Sequence, residues 1–137
     1  MIKEIIKDQF ILSQKSKQAT IDDQDTIQDL IDTLTYNKER CVGMAANMIG
    51  VLKNIIIFYD NNKQIVMLNP VIIKTSKDYY NTQEGCLSHI GERPVKRYKS
   101  IKVQFLDLDG KIKIKTYKDF TAQIIQHEID HCNGILI

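Results

Sequence analysis

Between residues 20 and 34, in "TIDDQDTIQDLIDTL", the apolar positions Ile27, Leu30, Ile31 and Leu34 recur at steps of three and four. That spacing predicts an amphipathic helix of about three to four turns, and either Asp22 or Asp23 stands where an N-cap is wanted. The pattern then changes. "NIIIFYD" and "IVMLNPVIIKTS" are apolar runs rich in β-branched residues and read as strands. Asn69-Pro70 is expected to bend or break the second of them, because proline donates nothing to a ladder. "SIKVQFLDLDGKIKIKTY" alternates on both sides of Asp109-Gly110, which is the strongest hairpin signal in the chain. "FTAQIIQHEIDHCNG" reads as a last helix with Gly134 as its stop. Only "CVGMAANMIG" has neither period; its small residues let the backbone approach something closely. The expected class is α+β, with antiparallel strands packed around a C-terminal helix that carries the polar residues.

Bulk properties narrow this picture a little. No repeat, low-complexity tract or Pro/Gly linker divides the 137 residues, so one domain spanning 1–137 is expected. The formal net charge is +2, and no basic run is long enough to track phosphates, so no nucleic-acid partner is expected. "MIKEIIKDQF" is interrupted by charges, unlike a signal peptide. No stretch reaches the ~20 apolar residues that cross a bilayer, and no membrane partner is expected. Three cysteines, Cys41, Cys86 and Cys132, fit a reducing cytoplasm rather than a disulfide framework.

The chemistry gathers near the end of the chain, in "QHEIDHCNG". Helical residues four apart differ by ~40° in direction, so His127 and His131 project from one face and can grip a single ion. Glu128 points to the flank of that face. This is the HExxH arrangement, in which the glutamate serves as general base. A solvated helix end with two histidines remains the plain alternative. A catalytic metal takes three protein ligands, and the remaining donors are Cys86, His89 and various carboxylates. Cys86 lies in the polar stretch "EGCLS", although a free cysteine is more often packing than a ligand.

"EGCLS" followed by "HEIDH", with "GMAANMIG" upstream of both, resembles the peptide deformylase family. Its three signature segments run, in order, GxGLAAxQxG, EGCLS and HExDH. The resemblance implies one divalent ion held by Cys86, His127 and His131, most often ferrous iron, with zinc, nickel or cobalt as substitutes. It implies that Glu128 moves the proton, that the backbone N–H of Leu87 faces the developing oxyanion, and that formate is released from an N-formylated peptide or nascent chain. It also implies that the peptide adds as a strand against backbone near Gly43, that Arg93 can contact substrate, and that Glu84 and Arg97 form a structural pair. Asp130 is read as a support or a surface charge.

Several positions depart from the family pattern. Met48 stands where the motif has glutamine, and methionine cannot donate a hydrogen bond; activity is expected to be reduced. Cys41 replaces the first glycine of the same motif, and Ile90 a common proline. Thr82 and Gln123 are polar where relatives are apolar. Gln123, one turn before His127, is aimed toward the metal face, where its amide would stand in for the donor lost at Met48 or else bond a neighbouring strand. Cys41 and Cys132 are read as small core residues and His89 as exposed. No ribosome docking through a C-terminal tail is expected after Ile137. The alternative reading is a non-catalytic or altered-substrate homologue that keeps the metal site but lacks an efficient oxyanion hole.

Overall fold

The computed structural model describes all residues, 1–137. Its first regular element is a single turn, α1 (Gln9–Leu12), too short to leave a periodic signature; Asp8 caps it by accepting from the Phe10 and Ile11 N–H groups. The apolar stripe that follows forms α2 (Gln24–Tyr36). Asp23 occupies the N-cap position but does not cap the helix with its side chain. Its carboxylate accepts instead from the Thr20 N–H.

Five strands form one antiparallel sheet in the order β1-β2-β3-β6-β7: β1 (Gly43–Ala45), β2 (Ile55–Asp60), β3 (Lys63–Thr75), β6 (Ser100–Leu106) and β7 (Ile112–Lys118). A 3-10 turn (Ala46–Ile49) follows β1. The run of isoleucines in β2 reflects burial on both faces. Ile55 and Ile57 pack with Leu30 and Leu34 of α2, whereas Ile56 and Phe58 pack with the last helix, α3 (Asp119–Cys132). Burying such side chains fully is worth about 1.5–3 kcal/mol each, so β2 is where both layers are fastened.

The hairpin turn falls at Asp107–Lys111, where the Asp107 carboxylate accepts from the Asp109 and Lys111 N–H groups. Gly110 there has φ +79°. Gly134, just past α3, has φ +74°, and a Cβ on it would lie 2.5 Å from the Ser13 carbonyl oxygen, so the stop also admits the N-terminal segment. The expected α+β class and the C-terminal helix are both present.

Two strands were not foreshadowed by any alternation. β4 (Tyr79–Gly85) and β5 (Glu92–Tyr98) form a separate two-stranded ribbon. Their sequences, "YYNTQEG" and "ERPVKRY", lack an apolar face because the ribbon leans on α3 through polar contacts. Gln126 of α3 makes one of these. Its side-chain oxygen accepts from the Tyr98 N–H, and its amide donates to the Tyr98 carbonyl, each at 2.9 Å. The side chain thus bonds the ribbon as a neighbouring strand would.

At Asn69-Pro70 strand β3 bends and does not break. Its pairing with β6 shifts between Leu68 and Val71, and Asn69 adopts φ 52°. The Asn69 side chain also accepts from the Ala19 N–H and donates to the Ala19 carbonyl, both at 2.8 Å. A non-glycine residue forced into the left-handed region costs about 1–2 kcal/mol, and each lost hydrogen bond costs about 1 kcal/mol. Asn69→Ala is therefore expected to destabilise the protein by about 2–4 kcal/mol in urea unfolding. Asn69→Gly, which keeps the backbone freedom, should lose less.

Candidate metal centre

Helix α3 is not an ordinary surface helix. Nine of its 14 residues are buried, among them His127, Glu128 and His131, so its polar side chains need partners inside the protein. The ribbon supplies them for Gln126 and His127. Glu84 of β4 is buried, and its Oε1 lies 2.7 Å from both Arg97 Nη2 and His127 Nδ1. Its Oε2 accepts from Arg97 Nε at 2.9 Å and from Gln123 Nε2 at 3.0 Å. Arg97 reaches across to Asp130 at 2.7 Å. One carboxylate thus ties β4, β5 and α3 together.

With Nδ1 anchored on Glu84, the His127 ring offers Nε2 to the interior. His131 Nε2 lies 3.2 Å from it, and Cys86 Sγ lies 3.4 Å from His131 Nε2. The three ligand atoms all fall within 4.8 Å of one another. An ion bound at the usual ~2.0–2.3 Å by nitrogen and sulfur requires ligand separations of about 3.3–3.7 Å. The observed spacing fits that requirement, and so does the donor set of one thiolate and two imidazoles. Beside them, Glu128 Oε1 is buried with no hydrogen-bond partner in the protein. A lone carboxylate in the same cleft wall as Cys86 and His127 suits a site completed by a cation and its substrate.

The electrostatics follow from burial. Burial alone would raise the Glu84 carboxyl, but the hydrogen bonds from Arg97 and then His127 outweigh it and hold the group at about 2. Burial pushes Glu128 up to about 7, against a smaller opposing pull from His127. It also lowers His131 to about 3, with His127 adding to the effect. For His127, burial is overcome by the bonds to Cys86 and Glu84, which push the ring up to about 10 in the protein without an ion. Two Nε2 atoms so close are tolerable when one carries a proton or when both lone pairs meet one cation.

The centre lies in a cleft of ≈ 510 Å³ whose walls include Gly43, Met48, Leu87, Gln123 and Glu128. Gly43 is tightly placed: a Cβ there would come within 2.8 Å of Ile124 Cγ2 and 3.0 Å of Glu128 Oε2. Met48 is almost wholly buried and brings no donor to the wall. The Leu87 N–H bonds no acceptor in the protein. Gln123 lines the cleft, but its Oε1 accepts from the Tyr80 hydroxyl at 2.7 Å while its Nε2 serves Glu84. That is the strand-bonding alternative, and it leaves Gln123 holding the ribbon.

Arg93 is not brought to the cleft. It lines a separate small crevice behind Cys86 with Ser88, His89 and His131. Two cysteine expectations divide: Cys132 is buried as expected, but Cys41 lines the cleft. The Cys41 Sγ lies 2.9 Å from the Gly43 carbonyl oxygen, and burial pushes its thiol up to about 12. His89 is half-buried rather than exposed, because the turn after Cys86 folds it inward. The Glu84–His127 bond and the role of Tyr80 around it had no signal in the sequence, since nothing in the spacing joins β4 to α3; Asp130, read as a support or a surface charge, bonds Arg97.

Removing Arg97 strands a buried carboxylate, at a typical cost of about 3–5 kcal/mol. Arg97→Met is expected to lose that much at neutral pH. A depressed carboxyl contributes stability that is complete above its ordinary value of 4.5 and is lost as pH falls toward about 2. The gap between variant and parent should therefore narrow over that acid range in denaturant titrations.

Comparison with known proteins bears on the whole chain. A family model described as "Polypeptide deformylase" matches residues 2–137. A peptide deformylase of Clostridium beijerinckii is 54% identical over 137 residues, all of both chains. The crystal structure of peptide deformylase from Thermotoga maritima superposes with a TM-score of 0.90 at 27% identity, covering 99% of this chain and 95% of that one. An actinonin-bound class I type b peptide deformylase from Acinetobacter baumannii gives a TM-score of 0.89 at 29% identity, with coverages of 99% and 95%. None of these matches supports a non-catalytic or altered-substrate homologue. On fold, length and sequence alike, this chain belongs to the peptide deformylase family.

Proposed function

We propose that the protein hydrolyses the formyl amide at the N-terminus of N-formylmethionyl peptides or nascent chains, releasing formate and a free amine. The observation that carries this reading is the buried, unpartnered Glu128 carboxylate beside the convergent atoms of Cys86, His127 and His131. These three residues would hold a single divalent ion, which we take to be ferrous iron; zinc, nickel and cobalt suit the same donors. When bound, the ion acidifies water and polarises the formyl carbonyl.

The remaining work falls to the chain itself. Glu128, held near neutrality by burial, takes the proton of the attacking water at its carboxylate and returns it to the departing amine nitrogen. Water adds to the formyl carbon, and the carbon–nitrogen bond breaks. The Leu87 N–H faces the oxygen that gains charge. Strand β1 is an edge strand, so its free backbone beside Gly43 can pair with an extended peptide. Apolar wall residues, among them Val42, Phe120 and Ile124, exclude water from the reacting bond. Arg93 lies outside this path, and we assign it no substrate contact. No helix of the chain is long and apolar enough to cross a membrane, and three free cysteines suit a reducing compartment, which we take to be the cytoplasm.

The decisive assay is formate release from formyl-Met-Ala-Ser by anaerobically prepared, iron-loaded protein. Turnover is expected, with loss on chelation and a fall of about 10²–10⁴ in Glu128→Gln; no turnover by the loaded protein would overturn the reading. Met48→Gln restores an amide donor at the cleft wall. Because one oxyanion donor is typically worth about 10²–10³ in turnover, this variant is expected to be faster than the parent, by up to that factor.

A further inference from the structure

The two imidazoles of the centre are not held alike. His127 turns its Nδ1 onto Glu84 at 2.7 Å, whereas His131 Nδ1 is buried and meets no partner in the protein. A histidine that gives one nitrogen to a metal almost always donates its other N–H to a carboxylate, carbonyl or water, which fixes the ring. Behind His131 lies a crevice of ≈ 10 Å³, with Ser88, His89 and Arg93 in its walls beside Leu12 and Ile137. Ser88 Oγ and His89 Nε2, from two of those wall residues, are likewise buried without a partner. Leaving a buried polar group unbonded is costly, and the three residues that carry these groups all line one crevice. Its volume matches about one water sphere, and a buried water needs two to four polar partners.

We propose that one buried water occupies this crevice, accepts the His131 Nδ1–H, and donates its own hydrogens to Ser88 Oγ and His89 Nε2. Ser88 and His89 are then positioning residues for the metal ligand His131. The histidine tautomers are consistent with these bonds. His89 Nδ1 lies 3.4 Å from the Ile90 carbonyl oxygen; with the proton on that nitrogen, Nε2 keeps its lone pair for the water. Arg93 carries only donors, so it cannot take the His131 hydrogen in the water's place. With the proton fixed on Nδ1, His131 Nε2 presents its lone pair toward Cys86 Sγ and His127 Nε2, at 3.4 and 3.2 Å. Glu84 fixes the tautomer of His127 directly, and the water does the same for His131. This inference rests on the metal-centre reading for its function but not for the water itself.

The test uses zinc-loaded protein, Ser88→Ala and Ser88→Thr. A high-resolution crystal structure of the parent should show a water within hydrogen-bond distance of His131 Nδ1 and Ser88 Oγ. Ring nitrogen spectra should report His131 as the Nδ1–H tautomer with a proton slow to exchange. Ser88→Ala should speed exchange of that proton and release zinc to a chelator about 10-fold more readily, while metal-free thermal unfolding stays near that of the parent. Ser88→Thr, which keeps the hydroxyl, should retain zinc as the parent does. Failure of the parent to bind zinc would overturn the centre itself, and the crystal structure would still read the water. Absence of the water, a direct Ser88–His131 bond, or zinc retention and proton exchange unchanged in Ser88→Ala would overturn the proposal.

Discussion

The structure depends most on the carboxylate of Glu84. It is buried, and four hydrogen bonds converge on its two oxygens from Arg97, His127 and Gln123. A charge in such a place is tolerable only when it is neutralised and fully bonded. Arg97 supplies the neutralising charge, and through Asp130 it spreads the network along α3. The ribbon of β4 and β5 has little apolar surface to press against the helix, so this polar hub does what a core does elsewhere. It also orients His127. Folding the ribbon and orienting the His127 ring are therefore the same event.

The other half of the molecule is built on apolar terms. Strand β2 carries α2 on one face and α3 on the other, and the two clusters share the sheet between them. Helix α3 stands where the two regimes meet. Ala122, Ile125 and Ile129 fasten it to the sheet, while His127 meets Glu84, His131 meets Cys86 and Glu128 lines the cleft. A helix held on both sides can keep its side chains to the sub-ångström tolerances a catalytic constellation needs.

The elements that sequence could reveal were those whose stability comes from apolar burial. The stripe of Ile27, Leu30 and Leu34 announced α2, and the alternation around Asp109-Gly110 announced the β6–β7 hairpin, since burial writes a period into the chain. β4 and β5 stayed hidden because their partners are hydrogen-bonding groups on α3, which impose no period. The same contrast holds in the site. The spacing of His127 and His131 is local and legible on a helix. Arg93 was expected near the substrate from the family resemblance, but it lines a separate crevice with Ser88 and His131. Helical geometry put Gln123 on the face of α3 that lines the cleft. What geometry of one helix could not show was Tyr80, on another element, already waiting for its carbonyl.

Strand β1 closes one side of the sheet with only three residues and has no partner strand along its outer edge. Open sheet margins are where proteins stick to their own kind, since any extended segment can lengthen the ladder. Here the margin is short, runs at once into a 3-10 turn, and forms part of a cleft wall. Those three features deny a neighbouring molecule the long straight seam that fibre growth requires.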